Sequence, residues 1–515
     1  MKRVLLLHIL LLFCLQNTWT QKPAIIWGKE EKQAPRTYIK KIICETEGII
    51  YIYRTSGESL KRDVHILETY SSENLNLLNR IFFPPLTDTD ALVEDIKYIG
   101  NHIVVFYSVL DKANQRTAYA QLLSKNGNKT GEAIMLDQLS FAKKRNIGTF
   151  DFVLSADSSK ILLYRNEPFE KYAQEKFSYR VFDKHFNLLW NKEMELPYTD
   201  KYFEITEYRI DNNGNVFMLA TIFPDKNKGE KNIKGLPNNK HVLFAFYPNE
   251  NEVSEFEVTL SGKFISDITF RLNDKNDLVV AGFYSNSGFY NINGTFYMLI
   301  DATSRDVKIT NLKPFERDFL LNFLSEKNAD KGRGLSNIYF NHFILTNNGS
   351  AVLIGEQHYV ENVCFNDMRT GNLICNYHFF YNDIIAVNID STGTITWANR
   401  IPKFQHTVND NGFYSSYSLA TVNNYLHFIF NDNPKNIELA KTKPNRLRAM
   451  TGAQGAVTML CSINANGETI REPLFSAKGG NVILRPKFFK QINPNELIIF
   501  SQRGKKYKLG KLCFK

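Results

Sequence analysis

Two stretches of this sequence carry the same polar turn at the same distance from a tryptophan. In DIIAVNIDSTGTITWANRIPK, Asp390 ends a strand-like run, STG follows, and Trp397 comes seven residues after the aspartate. In YRVFDKHFNLLWNKEMELP, Asp183 and Trp190 have the same spacing. A repeated turn at a fixed distance from a large apolar residue indicates one structural unit used several times.

The residues of this turn explain why it recurs. A carboxylate or amide at the first position bonds its own backbone, and glycine supplies the positive φ that the turn needs. A third, degenerate copy, CSINANGETIREPL, has Asn464, Gly467 and Arg471 at the same spacing. We therefore predict a strand-turn-strand element in which the large residue packs on the next sheet.

Helical periodicity is nearly absent from the rest of the chain. Short runs rich in Ile, Val, Phe and Tyr are broken at regular intervals by Asn, Asp, Gly and Ser, which is typical of an all-β protein. Taken four at a time, the runs form repeats at 37–83, 92–137, 147–197, 202–260, 263–313, 337–403, 412–475 and 480–515. The sequence predicts a single β-propeller with eight four-stranded blades, or seven if one repeat is spurious.

The last repeat has only three strands, and the missing one is found at the other end of the chain. PAIIWGKEEK, at 23–32, resembles the fourth strands NLLWNKEMELP and TITWANRIPK. We predict that this segment pairs with the C-terminal blade and closes the ring, which would otherwise leave an unpaired edge. The propeller domain would then cover 21–515, with one helical insertion near 315–327.

The segment 1–20 has the features of a secretory signal peptide: a charged start, an apolar core and a polar cleavage zone. We expect cleavage between Thr20 and Gln21. Lipidation of Cys14 is the alternative, but Phe13 is bulky where such sites usually have a small residue. No other segment is apolar enough to cross a bilayer, so we expect an exported protein that is periplasmic, outer-membrane-associated or extracellular.

The charge balance of the chain indicates which kinds of partner it can bind. The chain has 63 basic and 53 acidic residues, and the leader accounts for two of the basic ones. This moderate excess of basic residues favours binding to anionic surfaces but is far from a nucleic-acid-binding composition.

Cys364 and Cys375 flank FNDMRTGNLI, so a hairpin would place them opposite each other, either as a disulfide or as two packed thiols.

On its turn repeats the chain resembles the secreted bacterial β-propellers of the PQQ-like and WD40-like kind, whose blades also combine Asp, Gly and an outer-strand Trp. The resemblance covers the mature chain as architecture. Eight-bladed members include quinoprotein dehydrogenases and the propeller lipoprotein of the outer-membrane β-barrel assembly machinery. The dehydrogenases imply a pair of adjacent cysteines beside the quinone, which this sequence lacks. The assembly protein implies a scaffold without a cofactor.

The long insertions indicate which face of a propeller would bind. Connections between strands two and three, and those between blades, lie on one face, and binding concentrates on loops of a rigid scaffold. The insertions fall at 223–241, 358–383 and 431–455, together with the helical segment. Two of them form a predicted basic rim for an anionic glycan, lipid head group or protein: Lys226, Lys228, Lys231, Lys234, Lys441, Lys443, Arg446 and Arg448. The alternative is solvated loops without a partner.

The same face carries the densest set of polar residues. They are Glu356, His358, Gln405, His406, Asp410, Asn431, Asp432 and Asn433. They could line a pocket for a sugar or peptide, or cap strands and turns. A metal site through Glu356, His358 and Asp410 is the weakest alternative, because no HExxH or spaced Cys/His motif exists, and we predict none.

Two functions fit these observations. We expect a non-catalytic scaffold that binds an envelope protein or complex, in the manner of outer-membrane assembly or secretion machinery. The alternative is a propeller that binds or cleaves glycans through the polar residues of blades six and seven.

Overall fold

A computed structural model describes residues 22–56, 64–83, 91–223, 235–250, 252–301, 304–346, 349–480 and 482–515. The predicted leader at 1–20 and the basic-rim lysines Lys226, Lys228, Lys231 and Lys234 lie outside these residues. Within them the chain is all-β, as the sequence predicts. Its strands form eight sheets of four or five strands and one sheet of two.

The chain begins with β1 (Ala24–Trp27) and β2 (Glu31–Lys32). Sheet 1 contains β3 (Tyr38–Thr46), β4 (Ile49–Thr55), β5 (His65–Ser71) and β6 (Leu77–Phe82). Sheet 2 contains β7 (Ala91–Ile99), β8 (His102–Leu110), β9 (Gln115–Leu123) and β10 (Ile134–Ser140). Sheet 3 contains β11 (Thr149–Leu154), β12 (Lys160–Asn166), β13 (Gln174–Asp183) and β14 (Leu188–Thr199). Sheet 4 contains β15 (Phe203–Ile210), β16 (Val216–Ile222), β17 (Lys240–Phe246) and β18 (Ser254–Val258).

Sheet 5 contains β19 (Phe264–Leu272), β20 (Leu278–Ser285), β22 (Gly294–Ile300) and β23 (Val307–Pro314), and β21 (Asn291–Ile292) pairs separately with β24 (Leu335–Ser336). Sheet 6 contains β25 (Ile338–Leu345), β26 (Ala351–Asn366), β27 (Leu373–Ile389) and β28 (Ile395–Ile401), with β29 (Gln405–Val408) added to β27. Sheet 7 contains β30 (Ser418–Val422), β31 (Tyr425–Asp432), β32 (Val457–Ile463) and β33 (Thr469–Ser476). Sheet 8 contains β34 (Leu484–Asn493), β35 (Glu496–Arg503), β36 (Lys506–Cys513) and β1, with β2 also on β36.

Apolar pattern decides where a strand lies within its sheet. The second strands are nearly continuous apolar runs: VFMLATI in β16 is buried at every position. Fourth strands alternate instead, as in LLWNKEMELPYT of β14, in which Glu193 and Glu195 face solvent. A strand covered on both faces needs apolar residues throughout, whereas a strand on the outside needs them on one face only.

Each sheet packs face to face on the next one in the chain. Phe106 of sheet 2 stacks on Phe152 of sheet 3 with ring centroids 4.0 Å apart, and Tyr164 of sheet 3 stacks on Tyr208 of sheet 4 at 4.5 Å. Separate apolar clusters join sheets 1 and 2, 2 and 3, 3 and 4, 4 and 5, 5 and 6, and 6 and 7. Sheet 8 packs on both sheet 7 and sheet 1.

The repeated tryptophans make these sheet-to-sheet contacts, as the sequence predicts. The Trp190 indole N–H donates to the carbonyl of Gly214 at 3.0 Å, in the first turn of sheet 4. Trp397 donates to the carbonyl of Ala465 at 2.9 Å, in a turn of sheet 7. Gly467 has a φ of +84°, and a Cβ there would lie 2.7 Å from Trp397, so the turn needs glycine for conformation and space.

The N-terminal strand pairs with the C-terminal strand, which is the pairing predicted for 23–32. Ala24 lies opposite Cys513 and Trp27 opposite Gly510 in an antiparallel ladder. The Trp27 ring covers Gly510, and a Cβ at position 510 would lie 2.7 Å from this ring. Trp27 also packs edge to face with Phe475 of sheet 7, with the two ring centroids 5.2 Å apart. Residues from the two ends of the chain therefore share one sheet.

The helical segment differs from the prediction of one helix near 315–327. It is two short helices, α1 (Arg317–Leu321) and α2 (Glu326–Asp330), and a new helix begins after Ser325. Phe323 and Leu324, in the break between the two helices, pack with α1 in the apolar cluster between sheets 5 and 6. The sequence also did not predict α3 (Asn436–Thr442), which lies in the insertion of sheet 7. A fourth short helix, α4 (Ala477–Gly480), follows β33.

Candidate functional site

The sheets have two unlike ends. Turns between first and second strands, and between third and fourth strands, share one end, which we call the short-turn end. There Asp390 accepts the backbone N–H groups of Thr392 and Thr394 at 2.9 and 3.0 Å. The same turn recurs at Asp183, Asp211, Asn273 and Asn464. These side chains saturate their own turns.

The other end, which we call the long-connection end, holds the segments between second and third strands and the segments between sheets. Large exposed apolar side chains are found on these segments and on some outer strands; none of those described lies in a turn of the short-turn end. At the long-connection end they are Val64, Phe169, Tyr172, Leu236, Tyr290, Tyr339, Val360, Val363, Phe365, Met368, Leu373, Ile374, Tyr377 and Val408. Apolar surface gathered at one end of a rigid scaffold is typical of an interaction face.

Half of that set belongs to one hairpin. The 358–383 insertion, which the sequence suggested as a connection, is a direct extension of β26 and β27 beyond the sheet. Cys364 and Cys375 lie opposite each other near its tip and are joined by a disulfide, with Cα atoms 4.0 Å apart. Asp367 caps the turn by accepting the Arg369 N–H at 2.9 Å. The hairpin is therefore a defined arm rather than a loose loop.

Part of the predicted polar set forms a buried network between sheets 6 and 7. The Lys403 ammonium donates to Glu356 Oε1 at 2.7 Å and to Gln405 Oε1 at 3.1 Å. The Ser416 hydroxyl donates to the second oxygen of Glu356 at 2.7 Å. Lys403 is buried, and burial lowers its pKa although the Glu356 carboxylate opposes the shift. Glu356 is thus held as a structural partner of a cation away from solvent.

Asn431, Asp432 and Asn433 also bond within the protein. Asn431 donates to the carbonyls of Tyr414 and Leu484, and Asp432 forms a buried ion pair with Arg471. Burial raises the pKa of Asp432, while Arg471 acts in the opposite direction. Asn433 binds the Ala449 carbonyl at 3.0 Å and so fixes the base of the sheet 7 insertion.

His358 lies apart from this network. Its ring stacks on Tyr381 at 4.1 Å, and burial lowers its pKa. His406 lies on β29, which pairs with β27 beside the arm. Its Nε2 is 2.9 Å from Nδ1 of His378, and its ring stacks on Phe380 at 4.3 Å. The described residues contain no group of three or more His, Cys, Asp or Glu side chains placed to hold a metal ion.

Asp410 lines a separate cavity of about 520 Å³ at the long-connection end. Tyr414, Gln454 and Arg503 share its wall. The carboxylate already accepts the Thr407 hydroxyl at 2.5 Å and the Gly412 N–H at 2.9 Å. The eight predicted residues are therefore divided among a buried network, the arm and the adjoining β29, this cavity and the base of an insertion.

The described half of the basic rim is exposed. Lys441 lies on α3 with Glu438 at 3.8 Å, and Lys443 ends that helix. Arg446 and Arg448 follow in the same insertion and are also exposed. These four side chains form a positive patch at the long-connection end.

A larger cleft, of about 760 Å³, was not predicted. It lies between the connections of sheets 2, 3 and 4, with Phe169, Asn146, Asn166 and Lys176 in its wall. Glu175 at its base is buried, and burial together with the neighbouring Asp200 carboxyl raises its pKa to about 8. The sequence signal was weak, because the contributing residues come from three separate segments.

Comparison with known proteins finds similar solved structures but no matching sequence family. No family model matches the chain, and no curated protein sequence matches it. One similar solved structure is the WD40 domain of SCAP from fission yeast, which is 10% identical in sequence. The match covers 96% of this chain and 98% of that chain, with a TM-score of 0.39.

A second is the β-propeller domain of the Trilobed protease from Pyrococcus furiosus, which is 10% identical. The match covers 86% of this chain and 96% of that chain, with a TM-score of 0.38. A third is a europium-containing methanol dehydrogenase, which is 10% identical. The match covers 93% of this chain and 85% of that chain, with a TM-score of 0.41. The structures that this chain is similar to thus include a WD40 domain and a β-propeller domain, the kinds of protein that its turn repeats resemble.

Proposed function

We propose that this chain is an exported β-propeller that acts as a non-catalytic interaction scaffold in the cell envelope and binds a partner protein with its long-connection end. The eight sheets would be eight blades of one ring, closed where β1 pairs with β36. The packing of sheet 8 on both sheet 7 and sheet 1 supports this closure. Full closure removes exposed sheet edges, which suits a rigid platform.

The observation that carries the scaffold proposal is the uneven distribution of exposed apolar side chains. Tyr172 is 83% exposed and Tyr290 is 70% exposed, and both lie in connections at the same end. Side chains of this size lose contact with water when a partner covers them, which provides a driving force for association. The turns of the other end offer no such surface among the described residues.

Export and envelope location rest on two further observations. The sequence at 1–20 has the pattern of a signal peptide, and the arm contains a disulfide, which persists in oxidising compartments. Among the described residues, no helix is long and apolar enough to cross a bilayer.

The positive patch at Lys441, Lys443, Arg446 and Arg448 would favour an anionic partner surface, whether of a protein, a glycan or lipid head groups.

Glycan binding is a second candidate, favoured by the cleft of about 760 Å³. Its wall combines the exposed ring of Phe169 with amide and carboxyl groups, a combination that suits the apolar faces and hydroxyls of sugars. The buried Glu356 and Asp432 do not contribute to this cleft.

The scaffold proposal is tested by affinity capture from the native envelope after mild crosslinking. The parent protein should recover a stoichiometric partner, and the Tyr172→Asp/Tyr290→Asp variant should lose it. Leu78→Asp is a matched control, because Leu78 is 56% exposed near the start of the outer strand β6, at the short-turn end. Recovery of the parent protein alone, or equal loss with the control, would contradict the proposal.

A further inference from the structure

The arm has an open strand edge. β25 pairs with β26 only as far as Gln357, and among the described strands β27 is the sole partner of β26 from His358 to Asn366. All residues from Val360 to Asn366 are exposed. An open edge with unpaired backbone groups is a template for another strand.

The backbone geometry shows which groups face outward. The His358 N–H donates to the Asn337 carbonyl at 2.9 Å, so it points away from β27. The register with β27 runs without a bulge from His358 to Asn366. Because direction alternates along a strand, the N–H and C=O groups of Val360, Asn362 and Cys364 also point outward. The short Cα separation of Cys364 and Cys375 agrees, since it marks a non-hydrogen-bonded pair.

We propose that two copies of this chain dimerise by antiparallel pairing of the open β26 edge from Tyr359 to Phe365 with the same edge of a second copy. The result would be one continuous sheet with the order β27, β26, β26, β27. About six backbone hydrogen bonds would join the outward groups across the two-fold axis.

The sequence of the edge suits pairing with itself. Asn362 is the middle one of the three outward residues Val360, Asn362 and Cys364, so a two-fold axis there pairs all three. This register places Tyr359 opposite Phe365 of the second copy and Glu361 opposite Val363 of the second copy. Two aromatic pairs form, and no like charges face each other. Isologous contacts of this kind give closed dimers.

The same pairing covers apolar surface that is otherwise exposed. Val360, Val363 and Phe365 are each about half exposed in the single chain. In the dimer, each would gain a neighbour from the second strand on its own face of the sheet. The occupant is therefore another copy of the same strand, and the positive patch on α3 and the cleft at sheet 3 remain open for other partners.

The test is sedimentation velocity of the purified mature protein over a concentration series, with Asn362→Pro compared with Asn362→Ala. Proline removes one outward N–H and leaves the ladder with β27 intact, whereas alanine changes the side chain only. We expect a dimer for the parent and for Asn362→Ala, and a dissociation constant raised at least about tenfold for Asn362→Pro.

A second proline variant, Val360→Pro, should behave in the same way, and unchanged unfolding temperatures would show that both variants are folded. A monomeric parent, or equal dimerisation of parent and proline variants, would overturn the proposal. The experiment needs no envelope partner, so its outcome is independent of the scaffold proposal.

Discussion

Lys403 and Glu356 form a buried ion pair between sheets 6 and 7, with side chains 0% and 3% exposed and 2.7 Å between Nζ and Oε1. The pair joins the segment after β28 to the second strand of the same sheet. Ser416 and Gln405 extend it toward sheet 7. It holds two neighbouring sheets together at the long-connection end.

Removal of one member of this pair should destabilise the protein strongly. Lys403→Met leaves the Glu356 carboxylate buried without its cation, so the free energy of unfolding should fall by about 3–5 kcal/mol. Urea denaturation followed by circular dichroism measures the change. Lys441→Met, on the surface of α3, is the control and should change it by less than about 0.5 kcal/mol. Equal effects of the two variants would show that the pair is not structural.

Stability should decrease with rising pH because of Glu175. Its pKa is about 8 in the folded protein against 4.5 in the unfolded chain, so the folded state binds the proton more tightly. This contribution is complete below about pH 4.5 and is lost as pH rises through 8. Thermal unfolding temperatures from pH 5 to 9 measure it. Glu175→Gln should flatten the profile, and a profile unchanged by this substitution would contradict the assignment.

The disulfide should stabilise the arm rather than the sheets. Cys364→Ser/Cys375→Ser should leave the global unfolding temperature nearly unchanged, because the cysteines lie beyond the packed part of β26 and β27. Local opening of the arm should become more frequent. Limited proteolysis with mass spectrometry should show faster cleavage between Tyr359 and Phe380. Unchanged cleavage would mean that the hairpin is stable without the disulfide.

Anionic surfaces should bind the positive patch in a salt-dependent way. Substituting glutamine for Lys441, Lys443, Arg446 and Arg448 together should abolish most of the binding to vesicles that contain phosphatidylglycerol. Added salt should weaken the binding of the parent protein to these vesicles in the same way, because salt screens exposed charges. Vesicle co-sedimentation measures both effects. Binding that resists salt and the substitutions would exclude an electrostatic contact by this patch.

The strand and turn pattern could be predicted because its causes are local. Asp390 and Gly393 shape their own turn, and Trp27 resembles Trp190 and Trp397 in its flanking residues, so the pairing of the chain ends followed from comparison within the sequence.

The polar site could not be predicted in the same way. The state of Glu356 depends on Lys403, which is 47 positions away. Burial and an ion pair turned a candidate binding residue into a structural one. The hairpin that places Cys364 opposite Cys375 was predicted, but the length of its strands was not, because an extended hairpin and a long loop have similar composition until strand pairing is known.

The pairing of β1 with β36 is the central claim, because the proposed closure of the ring depends on it. Ala24 lies directly opposite Cys513, which is not in a disulfide, so Ala24→Cys offers a second thiol at the right place. Mass spectrometry of the oxidised variant under non-reducing conditions should find a peptide that links residues 24 and 513. Free thiols at both positions in the folded, oxidised protein would contradict the account.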